Sequence, residues 1–448
     1  MYPSRRRPLL SVLTAALMVC ALMAATPLRA GVLLLRDADM EYALRQLAEP
    51  VLSAAGLSSS QVRILVIDDN TLNAFVVDAR HIFIHSGLIM KLTTAEQLQA
   101  VIAHEAAHIA NGHITRRLGN MRAARNAAGL GILLAVAAGA ASGNPQAGAG
   151  LAIGAQSSAL RLFLSHTRSE ESSADIASVR YLTRAGIDPQ GAVEVQEIFR
   201  GQEALSTSRQ DPYMRTHPVS ADRLRALKGL VAANRITPDA KRAATSNYWY
   251  ARAKGKLTAF KRAPSWTLRR AKDSPSADIA LMREAAAYHR QSDTRKALAA
   301  IDKALALRPR DPFLMDLKGQ ILLESRNFGA AVQVYQQAAN LAPREALILG
   351  GLGRALLAAG NARAALRPLE SARERDFSDT RILRDLGVAY AQTGQPGMAS
   401  VVTAERFALQ GRLKDAGIHA KRAVDQLPRG SGPWQRAQDV LLASERAK

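Results

Sequence analysis

Thr93-Thr94-Ala95-Glu96-Gln97-Leu98-Gln99-Ala100-Val101-Ile102-Ala103-His104-Glu105-Ala106-Ala107-His108 is the stretch on which the rest of the chain turns. Thr93 followed three residues later by Glu96 is a capping box, and Leu98, Val101 and Ile102 continue at helical spacing. The stretch therefore predicts a helix. Residues four apart share a helix face, so the imidazoles of His104 and His108 point to one place. Two neutral imidazoles suit zinc, and Glu105 lies beside them, ready to take a proton from water. A catalytic zinc needs a third protein ligand. His113 is one source, but the longer zinc motif wants Gly and His where Asn111 and Ile114 stand. The other source is Arg168-Ser169-Glu170-Glu171-Ser172-Ser173-Ala174-Asp175, where Glu171 and Asp175 are again four apart. A glutamate there ligates, and Asp175 orients a ligand histidine from behind.

Working outward, Asp37 to Ala55 reads as an amphipathic helix with Leu44, Leu47, Val51 and Leu52 on one stripe. Val62–Ile67, Ala74–Val77 and Ile82–His85 read as short strands, the first two separated by the turn Asp68-Asp69-Asn70. Between the two metal-binding segments lies a small-residue apolar stretch, 127–142. At sixteen residues it is short for a membrane span and predicts a lid or a membrane-facing hairpin.

Taken together, these segments resemble the HtpX and CAAX-prenyl-protease type of zinc metallopeptidase. Asn73-Ala74-Phe75 is similar to that family's segment before its active-site strand. Ile82-Phe83-Ile84-His85-Ser86-Gly87-Leu88 resembles the substrate-binding edge strand and the turn after it. Thr216-His217-Pro218 with Asp222-Arg223 resembles a third motif. The resemblance covers about residues 40–226. It implies zinc, one ion per chain, on His104, His108 and Glu171, with Glu105, Asp175 and Arg223 as catalytic residues and Ile82, Phe83, Ile84 and His85 holding substrate by β-augmentation. By likeness to the periplasmic branch, His217 is a fourth ligand that closes the site. Where the edge strand of the family has Gly-Gly, this chain has Ala79-Arg80-His81.

From about residue 277 the chain is periodic. Gly319, Gly353 and Gly387 recur every 34 residues, as do Ala297, Ala331, Ala365 and Ala399, and Pro309 and Pro343. That period resembles tetratricopeptide repeats, which stack into a solenoid that binds proteins and performs no chemistry. Ala416, Ala423 and Pro428 close the array out of phase.

Composition narrows the partners. Of 448 residues 48% are hydrophobic and 5% aromatic, which favours helices packed with Ala and Leu; the lone cysteine, Cys20, excludes a disulfide framework. The net charge is +22, and half of it lies in 228–272, where twelve Lys and Arg face Asp239 alone. Nucleic acid is not expected of an exported chain. An anionic membrane surface is the better match for a basic belt carrying Tyr248-Trp249-Tyr250 and Trp266. Export itself is read from Arg5-Arg6-Arg7, the apolar stretch Pro8–Ala25 and small residues near Ala30, which describe a secretory signal.

The expected fold is mainly α (α+β). A secretory signal (1–30) precedes a zincin-like metallopeptidase domain with a small β-sheet (31–227), a basic linker (228–272) and an α-solenoid of repeats (273–448). The expected activity is zinc-dependent cleavage of unfolded or misassembled, outer-membrane polypeptides in the periplasm, with the repeats contacting the assembly machinery. The alternative is a chaperone or adaptor whose zinc site is self-inhibited.

Overall fold

The computed structural model describes residues 33–117, 167–206 and 209–446. The expected secretory signal (1–30) and the expected lid or hairpin at 127–142 lie outside these residues. Helix α1 (Ala38–Ala54) begins where the Asp37 carboxylate accepts from the Met40 N–H at 2.8 Å, and it buries Leu44, Leu47, Val51 and Leu52. The four strands β1 (Leu34–Leu35), β2 (Arg63–Ile67), β3 (Ala74–Val76) and β4 (His81–His85) form one sheet in the order β1-β2-β4-β3.

That order corrects the expectation that Ile82, Phe83, Ile84 and His85 form the edge. Strand β4 pairs in parallel with β2 and antiparallel with β3, and all five of its residues are buried. The physical reason is composition. An uninterrupted apolar run is what a strand covered on both faces and flanked on both sides requires. Among the described residues the edge of the sheet beside the metal-binding segments is β3, whose Ala74 and Val76 are buried. The His85 N–H donates to the Asn73 carbonyl, so Asn73 and Phe75 bond toward β4, and Ala74 and Val76 turn their N–H and C=O outward.

After α2 (Ser86–Lys91), helix α3 (Ala95–Ala110) carries the histidine pair. Its cap sits one residue later than the sequence suggests. The Thr94 hydroxyl accepts from the Gln97 N–H, and the Gln97 side chain accepts from the Thr93 N–H at 2.7 Å. Helix α3 is buried along nearly its whole length, against α1, β3 and α4 (Arg168–Arg184), which starts in a complete capping box of Thr167 and Glu170. Then α5 (Gln190–Ile198), α6 (Pro212–Thr216) and α7 (Ala221–Ala233) close the body.

Residues 228–272 are not a solvated linker. Helix α8 (Ala240–Lys261) runs through the middle of them, followed by α9 (Pro264–Ala271). Tyr250, Ala253 and Leu257 of α8 belong to the same core as the metal-binding helices. Eight of the twelve cations bond to partners within the chain, among them Lys228 to Glu197, Arg235 to Asp188, Arg242 to the Ala185 carbonyl and Arg270 to Asp273. Arg252 reaches Asp39 at 2.6 Å and Asp311 at 2.5 Å, Lys256 reaches Asp37 at 3.3 Å, and Lys254 and Lys261 bond to the Leu92 carbonyl and Asp68. The aromatic triplet is inside as well. The Tyr250 hydroxyl donates to the Leu92 carbonyl, the Tyr248 hydroxyl to Asp278, and Trp249 packs on Tyr42.

The solenoid follows as paired helices: α10 (Ala277–Arg290) with α11 (Thr294–Leu307), α12 (Pro312–Glu324) with α13 (Phe328–Leu341), α14 (Ala346–Ala358) with α15 (Ala362–Arg375), and α16 (Thr380–Gln392) with α17 (Pro396–Leu409). Helices α18 (Leu413–Gln426) and α19 (Gly432–Glu445) end it. The periodic small residues lie at the crossings. Ala297, Ala331 and Ala365 are fully buried, and a Cβ on Gly353 would stand 2.3 Å from Leu369 Cγ. The solenoid turns back on the body. Arg36 and Arg63 both pair with Asp376, at 2.5 and 2.9 Å, and Tyr42 of α1 packs on Phe313. Among the described residues no helix is long and apolar enough to cross a membrane.

Candidate metal centre

Helix α3 presents His104 and His108 one turn apart, with Nε2 atoms 3.2 Å from each other. Helix α4 brings Glu171 against both: Oε2 lies 3.4 Å from His104 Nε2, and Oε1 lies 3.4 Å from His108 Nε2. His217, just beyond α6, completes the group, with Nδ1 2.9 Å from Glu171 Oε1. The candidate ligand atoms of these four residues lie within 4.8 Å of one another, and all four side chains are buried. Glu105 is fully buried beside them. Neither of its carboxylate oxygens has a hydrogen-bond partner among the described residues, and His217 Nε2 stands 3.3 Å from Oε1.

The rear of the site is a network. Asp175 Oδ1 lies 3.2 Å from His104 Nδ1, and the Arg223 guanidinium grips Asp175 through Nε and Nη2 at 2.5 and 2.8 Å. Arg223 also reaches Glu171 at 2.5 Å and donates to the Pro218 carbonyl, while the Gln196 amide donates to Asp175 at 3.2 Å. The guanidinium thus faces two carboxylates, Glu171 and Asp175. Asp175 stands behind a ligand.

Protonation follows from these contacts. Burial disfavours charge on His104, yet Asp175 and Glu171 hold its pKa up at about 10. Burial pushes Glu105 up despite His217 and His104 nearby, and pushes His108 well down. For Glu171 burial is outweighed by His217 and Arg223, which hold it well below the usual carboxylate range. Asp175 is lowered in the same way by Arg223 and His104.

The loop bearing His217 touches the β3 edge. Its Nε2 is 3.3 Å from the Ala74 carbonyl, the Tyr213 N–H donates to the Leu72 carbonyl, and the Thr216 hydroxyl donates to Asn73. Tyr213 in turn stacks on Phe199. The expected residues His104, Glu105, His108, Glu171, Asp175, His217 and Arg223 are all brought together. Ile82, Phe83, Ile84 and His85 are not part of the group. Sequence reasoning weighed His113 only as a third metal ligand, whereas its Nδ1 lies 2.9 Å from His108 Nδ1, and it did not consider Gln196. The signal for His113 was present in Gly112, whose φ of +68° turns the chain back.

Residues 38–231 match the model of peptidase family M48, and residues 322–386 that of a tetratricopeptide repeat. The chain is thus similar to M48 peptidases over 38–231 and to tetratricopeptide repeats within its solenoid. Over 197 residues, 44% of this chain, it is 27% identical to the beta-barrel assembly-enhancing protease of Escherichia coli (strain K12). The match spans 40% of that protein's length. It is also 27% identical over 200 residues to Metalloprotease LoiP of the same organism, covering 44% of this chain and 74% of that one. Among solved structures, MamA from Desulfovibrio magneticus RS-1 aligns at 20% identity over 36% of this chain and 94% of its own, with a TM-score of 0.32.

The M48 family implies a divalent ion. The residues present fit one: three imidazoles and a carboxylate converge in a buried space, a nitrogen-rich donor set that suits zinc. Glu105, buried without a hydrogen bond, is the kind of orphaned group such a site leaves beside its ion.

Proposed function

We propose that this chain is a zinc-dependent endopeptidase of the cell envelope that removes misfolded or misassembled outer-membrane proteins. The observation that carries the reading is Glu105, a buried carboxylate without a hydrogen bond set against four convergent ligand groups. His104, His108 and Glu171 hold the ion, which when bound supplies Lewis acidity to a peptide carbonyl and to water. Glu105 takes a proton from the attacking water on one of its carboxylate oxygens and returns it to the departing amine nitrogen. Asp175 fixes the His104 ring, and Arg223 fixes Asp175 and offsets the negative charge of Glu171. The outward N–H and C=O groups of Ala74 and Val76 on β3 bind an extended polypeptide as an added strand. Unfolded chains present such strands, and the name of the Escherichia coli relative points to β-barrel proteins as the source. The solenoid contacts the assembly machinery. The anionic membrane contact falls to Arg262, Arg269, Arg270 and Lys272 around Trp266 on and beside α9, the exposed end of the basic belt.

The test is hydrolysis of a labelled, unfolded outer-membrane β-barrel polypeptide by the full chain. Cleavage is expected to stop on treatment with a chelator and to return on adding zinc. Cleavage that a chelator leaves intact contradicts the reading.

His217 favours a second, compatible state. It is fully buried, brings a fourth donor, and sits at the β3 edge where substrate would pair. In that state the site is closed and the chain works as a chaperone or adaptor. His217→Ala is expected to raise turnover severalfold with zinc retained; equal or lower turnover removes the closed state.

A further inference from the structure

A histidine that binds a metal through one ring nitrogen carries a proton on the other, and that N–H needs an acceptor that fixes the ring. For His104 the acceptor is Asp175, 3.2 Å from Nδ1. His108 turns Nε2 toward His104 and Glu171, so its Nδ1 carries the proton. That atom lies 2.9 Å from Nδ1 of His113, and both rings are buried.

We propose that His113 is the positioning residue for His108, its Nδ1 accepting the His108 Nδ1–H. The inference rests on the reading of His104, His108 and Glu171 as zinc ligands. Chain geometry explains how a residue five positions on can do this. On an unbroken helix it would lie about 140° around the axis from His108 and face away. Helix α3 stops first. The Gly112 N–H bonds to the Ile109 carbonyl, Gly112 takes a left-handed φ of +68°, and the chain folds back to set His113 behind His108. The Arg116 side chain bonds to the Asn111 carbonyl across this turn. The two ligand histidines are thus held differently, one by a carboxylate that itself is gripped by Arg223, the other by an imidazole.

The experiment measures zinc affinity of the full chain by competition with a chromogenic chelator. His113→Phe keeps a ring and removes the acceptor, and it is expected to weaken zinc binding about 10- to 100-fold. His113→Asn puts a carbonyl acceptor in reach and is expected to restore affinity to within about threefold of wild type. Circular dichroism of the zinc-free proteins checks folding, with His113→Leu replacing the Phe variant should that one not fold. Wild-type affinity in the acceptor-free variant overturns the inference while leaving the metal site intact. A wild-type chain that takes up no zinc overturns the metal-site reading, and the inference with it.

Discussion

Arg223 shows how much of this site depends on fork geometry. Its guanidinium bonds Asp175 through two nitrogens and reaches Glu171 with a third, all within a buried cluster. Lysine has one point charge and no fork. Arg223→Lys is therefore expected to keep the fold, loosen zinc about tenfold and lower kcat/KM by a similar factor or more, as read from metal content and hydrolysis rate. Unchanged zinc affinity would show that Asp175 orients His104 without it. At this scale the sequence was most informative. His104 and His108 were legible because helical spacing puts them on one face with Glu105 beside them, whereas the choice of Glu171 and Asp175 in the second segment came from the family resemblance. His113 was not legible, because its role depends on a helix ending between it and His108, and spacing rules assume that the helix continues.

The elements themselves were legible where their signal is local. The 34-residue period placed the small residues at helix crossings, and the structure has them there: Gly353 lies against Leu369, and Gly319 against Tyr335. Gly353→Ala adds a methyl carbon where 2.3 Å is available. It is expected to destabilise the chain by about 1–3 kcal/mol, measured by denaturant unfolding, because a packed crossing has no room to yield. A variant as stable as wild type would mean that the crossing shifts freely. Pairing between strands was not legible. The run Ile82–His85 announces a strand, but its neighbours depend on how a distant β2 returns beside it, which no local pattern encodes. The basic belt misled for a related reason. Charge counts treat every lysine and arginine as solvated, whereas Arg252 and Lys256 are buried against Asp39 and Asp37.

At the scale of the whole molecule, those buried cations join peptidase and solenoid. Helices α1 and α8 face α12, α14 and α16 across a cavity of about 560 Å³, whose lining includes Arg36 and Asp379. Asp376 is the junction, shared by Arg36 and Arg63. Burial alone would raise its pKa, but Arg36 and then Arg63 outweigh that and drive it far below the usual carboxylate value. A carboxylate depressed in the folded state contributes stability that is fully present above its unfolded pKa of about 3.9 and is lost as pH falls through the folded value. Asp376→Asn is expected to cost about 2 kcal/mol between pH 5 and 7, since Arg36 and Arg63 lose their shared carboxylate and are left with Glu41 and, for Arg36, Asp379. The gap between variant and wild type should narrow below about pH 4. A gap that stays constant down to pH 2, or no gap at pH 7, would show that the Asp376 ion pairs do not hold the two units together.

The central claim, that Glu105 works as the base of a zinc peptidase, has a direct measurement. Glu105→Gln preserves shape and removes the proton acceptor, so zinc content and cleavage of an unfolded polypeptide are measured side by side for both proteins. One zinc per chain is expected in each, with cleavage by the variant reduced at least about 100-fold. Equal cleavage by the zinc-loaded variant would contradict that role for Glu105.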